Sequence, residues 1–316
     1  MKKTNLGSVL KELRDRGWPP GLTEQSYINE IIGAGLRGKN LPLACVATEI
    51  AFQEKPLTLR GLMYRVVSAG WLPSTDKKHY HRLGRVMTTL REAGTVPFSW
   101  LVDHIRSTIK PSSWTGLGDY VDTVRDCYRK NFWAQLPEYV HVIVEKDAIA
   151  GTLSSVTSEF DVRLSPIRGY VSLSFAHEIA EVWNRIEKPI FAYYLGDFDA
   201  SGFDLERDLR EKLQRYCQRD FTWERLAVNV EDFDAFDLIR LKPKKSDRRY
   251  KTFVRKHGRD CAELDAIPPT ELRRRVKEAI DQHIPQAEWD RLQEVERVEK
   301  ESFNRVLDRL KKSKVA

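Results

Sequence analysis

His141-Val-Ile-Val-Glu145-Lys146 and Phe191-Ala-Tyr-Tyr-Leu-Gly-Asp197-Phe-Asp199-Ala-Ser-Gly202 decide how this chain folds. Each is a short β-branched or aromatic run that stops at acidic residues, the pattern of a buried strand delivering carboxylates at its C-terminal end. In extended chain residues i and i+2 point the same way, so Asp197 and Asp199 are expected on one face with Phe198 turned into the core. Carboxylates side by side call for a cation, and oxygen-only ligands at such a rim suit Mg²⁺. Gly202 is expected to turn the backbone close to that cation before a helix starts at Phe203.

Working outward, strands are predicted near 141–145, 161–165, 190–196 and 225–230. Helices are predicted near 147–158, 172–185 and 203–217. Such alternation implies a largely parallel sheet with helices on both faces. Asp204, Glu206 and Asp208 fall in the first turns of the third helix, where they complement its dipole.

Upstream, three helical segments follow in quick succession, with the spacing of a helix-turn-helix or winged-helix module. They span about Leu43–Gln53, Leu59–Ala69 and Thr75–Ala93, with Thr58 as the N-cap of the second and Gly70 and Gly94 as stops. In the second, Leu59, Leu62, Met63, Val66 and Val67 make one apolar stripe. At roughly 100° per residue the stripe centres near 10°, Arg60 lies at about 100° and Tyr64 at about 140°, a face turned away from the core. The third helix carries Lys78, His81, Arg82 and Arg85 beside its apolar positions and reads as a recognition helix, with Arg65 nearby. Thr95–Asp103 reads as a strand of the wing, with His104 and Arg106 reaching toward DNA.

Residues 1–41 form an N-terminal extension. Gly33-Ala-Gly35-Leu-Arg-Gly38-Lys39-Asn40 imitates a phosphate loop, but Asn40 stands where Ser or Thr would hold Mg²⁺ and Pro42 falls within the helix that must follow. The segment is read as a flexible basic connector. A linker is expected over 107–118, then a helix around Tyr120–Phe132. Lys242–Lys256 is the densest basic run, with Lys244, Lys245, Arg248 and Arg249 as candidate backbone contacts and Tyr250 and Phe253 packing it onto the body. Glu263 either approaches the metal or serves structure. Gln286–Lys312 reads as a charged helix lying on the body or on a second subunit.

The chain has 316 residues, 41% hydrophobic and 31% charged, enough for two cores. A net charge of +7 favours a polyanionic partner, although charge alone would also fit a membrane surface. No apolar run is long enough for a membrane span or signal peptide, so a cytoplasmic, nucleoid-associated location is expected. Cys45, Cys127, Cys217 and Cys261 are too scattered for a zinc site and read as free, partly buried thiols.

Glu145-Lys146, Gly169-Tyr170 and Asp197-x-Asp199-x-x-Gly202, each after a strand, together resemble a Toprim domain. With the helical region in front, residues 42–280 resemble the A subunit of type IIB DNA topoisomerases. Arg60-Gly-Leu-Met-Tyr64 looks like the Arg-x-x-x-Tyr motif of that family, with Met63 where an aromatic is common. The resemblance implies a winged-helix domain over 42–110, a linker and helix over 111–136, a Toprim domain over 137–285 and a C-terminal helix over 286–316. It implies transesterification by Tyr64, with Arg60 neutralising charge on phosphorus, Asp197 and Asp199 holding Mg²⁺, and Glu145 holding metal or relaying a proton. It further implies a homodimer in which the tyrosine of one protomer meets the acids of the other. Strand passage in the family uses a GHKL-type ATPase, so either a separate B-type subunit exists or the chain only cleaves, nicks or relaxes DNA. A Toprim nuclease using water, and a DNA-binding module without catalysis, are the other classes.

Overall fold

The computed structural model describes residues 24–101 and 112–313. The first half is helical: α1 (Glu24–Gly33), α2 (Asn40–Glu54), α3 (Leu59–Ser68) and α4 (Lys77–Glu92). Ile31, Leu43, Val46, Ile50, Leu62, Met63, Val66, Leu83, Met87 and Leu90 share one core. The Thr58 hydroxyl accepts the Gly61 N–H at 3.0 Å, and Gly70 and Gly94 take left-handed φ of 75° and 78° where their helices end.

Two expectations fail here. Part of the supposed connector is α1, which buries Ile28 and Ile31, and Pro42 sits in the first turn of α2, where no intrahelical N–H is needed. The wing strand is absent from the described part of 95–103. Pro97 supplies no ladder N–H, residues Phe98–Trp100 coil into a 3₁₀ turn with Trp100 against Phe52, and only Leu101 bridges to Leu57. Residues 102–111, His104 and Arg106 among them, lie outside the described part.

A short helix, α5 (Leu117–Cys127), starts inside the expected linker and leads to an α/β unit. Its strands are β1 (Tyr139–Val144), β2 (Arg163–Pro166), β3 (Ile190–Leu195) and β4 (Phe221–Ala227), all parallel in the order β2-β1-β3-β4. The crossovers run through α6 (Asp147–Glu159), α7 (Leu173–Asn184) and α8 (Ala200–Tyr216). Side chains alternate across β1. Val140, Val142 and Val144 join a core with Leu153 and Val156 of α6. Ile143 joins Ile179 and Trp183 of α7 and Leu209 and Leu213 of α8 on the other face. His141 is fully buried there: Trp183 donates to its Nδ1 at 3.0 Å, and its Nε2 lies 2.9 Å from the Ser165 hydroxyl. It is a core residue, kept neutral because burial pushes its pKa down to about 3.

After β4 come α9 (Asp232–Ala235), α10 (Tyr250–His257), α11 (Pro269–Asp281) and the 28-residue α12 (Gln286–Ser313). Phe253 is buried and fastens the basic run to the body, as its pattern implies. α12 lies on the body through Trp289 and Leu292 and on the α5 region through Arg125–Asp308 and Lys130–Glu299 ion pairs. None of the four cysteines is in a disulfide; Cys45 and Cys261 are buried, whereas Cys127 is exposed. No described helix is long and apolar enough to cross a membrane.

Candidate active site

The strand order reverses between β1 and β3, which makes their C-terminal ends the place where an open α/β sheet presents a crevice. Glu145 follows β1 and Asp197 follows β3. Glu145 Oε2 accepts the Asp197 N–H at 2.8 Å. Asp197 Oδ1 accepts the Leu264 N–H at 2.7 Å and lies 2.8 Å from Lys146 Nζ. The same ammonium reaches Asp265 Oδ2 at 2.8 Å and Glu263 Oε2 at 3.3 Å. Phe198 is buried, as expected, and bridges in antiparallel fashion to Ala262, which carries the Glu263–Asp265 segment against the strand ends.

Asp199 caps α8: its Oδ1 accepts the N–H groups of Ser201 at 2.9 Å and Gly202 at 2.7 Å. The helix therefore begins at Ala200, three residues earlier than expected, and Gly202 lies inside its first turn. Its need for glycine is one of space, since a Cβ there would stand 2.3 Å from the Asp197 carbonyl oxygen.

Tyr64 is the clearest correction. It does leave the apolar stripe of its helix, but the face it occupies is covered and only 2% of the residue is exposed. Its ring joins the core of the sheet unit, while Leu62, Met63 and Val66 stay in the helical core. What covers it is the turn at Leu264–Ala266, some 200 residues further along the chain. Arg60 donates from Nε to Glu263 Oε2 at 2.8 Å, and its guanidinium lies 5.8 Å from the Tyr64 ring centroid. The Tyr64 hydroxyl faces the same Glu263 carboxylate and interacts with it electrostatically.

The charges follow from this packing. Burial raises the Glu145 carboxyl to about 7, with Asp197 and Asp199 adding repulsion against the pull of Lys146. Burial also raises Asp197, against Lys146. Glu263 goes the other way: burial would raise it, but Lys146, Arg60 and the Tyr64 hydroxyl outweigh that and hold it at about 2. Burial first, then Glu263, pushes the Tyr64 phenol well above its usual range.

A cleft of about 860 Å³ opens over this network. Arg60, Arg91, Lys146 and Arg168 are among its walls, with Glu145, Asp197, Glu263, Asp265 and Gly169. Arg168 and Gly169 both take left-handed φ, 52° and 94°, at the end of β2, and Arg168 is ion-paired with Asp147 at 2.6 Å. Among the described residues no three His, Cys, Asp or Glu side chains are already gathered around a metal position. The donor set nevertheless fits Mg²⁺. Glu145, Asp197 and Asp199 each use one oxygen internally, and the repulsion from Asp197 and Asp199 that adds to burial in raising Glu145 is what an added cation would relieve.

The other sequence candidates divide. Lys78, His81 and Arg85 on α4 are exposed, as are Lys244, Lys245 and Arg248. Arg82 turns inward to Asn40 Oδ1 at 2.9 Å, and Arg65 pairs with Glu54 at 2.8 Å. Arg249 is engaged by Asp247 at 2.8 Å and by Asp204 and Tyr170. Sequence reading gave Asp265 and Arg168 no role, put Arg91 only on the basic face of the third helix, and took Lys146 only as the neighbour of Glu145 in its motif. Lys146 had a usable signal in standing next to Glu145; the others had none beyond their charge. No family model matches the chain, and comparison with curated proteins finds none that matches it significantly.

Proposed function

We propose that this protein cleaves double-stranded DNA by Mg²⁺-dependent transesterification, in the manner of a type IIB topoisomerase A subunit, with a winged-helix-like helical unit and a Toprim-like sheet unit. The observation that carries this reading is that Arg60, Lys146 and Asp197 line one cleft, joined through Glu263, with Tyr64 buried beside Arg60 behind that carboxylate. Tyr64 Oη attacks phosphorus, the bond from phosphorus to the 3′ oxygen breaks, and a 5′-phosphotyrosyl link and a free 3′-hydroxyl result. The phenolic proton leaves as the oxygen attacks, and the 3′ oxygen takes up a proton. Glu145, with its carboxyl near 7, is suited to pass that proton at neutral pH. Arg60 and Lys146 offset charge on the phosphate. Asp197 and Asp199, with Glu145, would hold Mg²⁺, which when bound supplies Lewis-acid stabilisation of phosphate charge. Lys78 and Arg85 on α4, with Lys244, Lys245 and Arg248, supply exposed positive charge for the DNA backbone, and His81 is exposed beside them as a polar contact. A homodimer makes two such cuts, each with the tyrosine and acids of one chain in place of the exchange between protomers that the resemblance implies, and a separate GHKL-type ATPase subunit is the partner that strand passage requires. The test is supercoiled plasmid with Mg²⁺, analysed with and without protease after denaturation: protein bound to 5′ ends supports the reading, and unbroken plasmid overturns it.

A second reading, hydrolysis by water, draws on one observation. Tyr64 is covered by Glu263, whereas Glu145 lines the open cleft with a carboxyl suited to accept a proton from water.

A further inference from the structure

Glu263 meets three groups at once. Its carboxylate takes the Arg60 guanidinium at 2.8 Å and the Lys146 ammonium at 3.3 Å, and it faces the Tyr64 hydroxyl. An arginine fork, a lysine and a hydroxyl converging on one small oxyanion is how proteins hold a phosphate. The arrangement reaches across the molecule, since Arg60 and Tyr64 come from α3 and Lys146 from the end of β1. It is closed to solvent at the nucleophile, because Tyr64 is 2% exposed while Arg60, Lys146 and Glu263 line the cleft.

We propose that Arg60, Lys146 and the Tyr64 hydroxyl form a phosphate subsite that Glu263 fills as a resident surrogate, and that a DNA phosphodiester must displace Glu263 to reach Tyr64. The inference rests on the DNA-cleaving reading for the identity of the ligand, but its chemistry needs only an oxyanion. Asp265 is placed to receive what Glu263 gives up: its Oδ2 already holds Lys146 at 2.8 Å, and its Oδ1 is buried without a partner among the described residues. Removing the Glu263 carboxylate therefore frees Arg60 without stranding Lys146. The closed state is a self-inhibited one, in which the nucleophile is covered and Glu263 occupies the place of the phosphate.

The test uses the full chain in EDTA, so that no cleavage intervenes, with a fluorescein-labelled duplex of about 20 base pairs as probe and anisotropy as readout. Glu263→Ala should bind about tenfold more tightly than wild type, and in an Arg60→Ala background the same substitution should change little. Loss of a negative charge alone would tighten binding equally in both backgrounds, so an equal gain overturns the proposal, as does no gain at all. If Glu263→Ala does not fold by circular dichroism, Glu263→Gln, which keeps shape and one acceptor, decides by the same cycle with a smaller gain expected. Because cleavage is not measured, a chain that binds with this coupling but never cuts DNA would sink the enzyme reading and leave the subsite standing. A chain that cuts DNA but shows no coupling does the reverse.

Discussion

The ammonium of Lys146 lies 2.8 Å from Asp197 Oδ1, tying the ends of the two strands that flank the point where the sheet order reverses. Asp265 and Glu263 share the same ammonium, so one cation balances three carboxylates where β1, β3 and the Glu263–Asp265 turn meet.

Lys146→Met should therefore be costly. Its side chain is 24% exposed and that of Asp265 only 1%, so removing the cation leaves buried carboxylates unbalanced, at a cost of about 3–5 kcal/mol. Urea unfolding of the two proteins measures it, and a loss below about 1 kcal/mol would mean that water or a proton replaces the ammonium without difficulty.

Gly202→Ala places a methyl against backbone, 2.3 Å from the Asp197 carbonyl oxygen. Because neither side is a flexible side chain, α8 has to shift away from the strand end, with a loss of about 1–3 kcal/mol and a displaced Asp199. Gly33→Ala is the control, having nothing within 4 Å of the added carbon. Equal denaturation midpoints for the two variants would remove the steric argument.

Asp199 has two separable jobs. Asn caps a helix about as well as Asp, so Asp199→Asn should keep the bonds to Ser201 and Gly202 and unfold within about 0.5 kcal/mol of wild type, while Asp199→Ala loses about 1 kcal/mol. If the carboxylate holds Mg²⁺, plasmid cleavage disappears in both. Wild-type cleavage rates in Asp199→Asn would leave Asp199 as a cap only.

Glu145 supplies a pH signature. Its carboxyl is raised from 4.5 to about 7, first by burial and then by Asp197 and Asp199, so the folded chain holds this proton more tightly than the unfolded one. The contribution to stability is thus full below pH 4.5 and is lost as pH rises through about 7. Glu145→Gln stays uncharged throughout, so its stability relative to wild type should grow across that window. Parallel stability curves would show that Glu145 is not held near neutrality.

The sheet was legible because β1 and β3 are apolar runs cut off by Glu145 and by Gly196-Asp197, and burial on both faces leaves such runs nothing else to be. The helical unit was legible from its caps, Thr58, Gly70 and Gly94. Tyr64 was misread because periodicity assigns one buried face per helix, whereas α3 is covered on two sides, the second by Leu264–Ala266. That contact spans about 200 residues, and no local pattern encodes it. Asp199 carries an ambiguity of another kind: Asp three residues before Gly at a strand end is equally the pattern of a metal rim and of a helix cap, and the cap is what the backbone N–H groups show. The wing was overread because a Val-Pro-Phe run counts as apolar while its proline withholds the N–H that a ladder needs.

The last prediction separates transesterification from hydrolysis and turns on Tyr64. Tyr64→Phe keeps the ring in its buried place and deletes only the oxygen, so the cost is that of one polar contact, no more than about 1 kcal/mol. Tyr64→Ala, by contrast, empties an aromatic site in the core and should cost about 3–5 kcal/mol, which makes it unsuitable for judging chemistry. If Tyr64 is the nucleophile, Tyr64→Phe folds, binds DNA and yields neither breaks nor protein on 5′ ends. If water is the nucleophile, the same variant cuts at the wild-type rate, because Glu145, Asp197 and Asp199 are untouched. Plasmid nicking by this one variant, read beside the protease step on wild-type protein, assigns the cleft to one chemistry or the other.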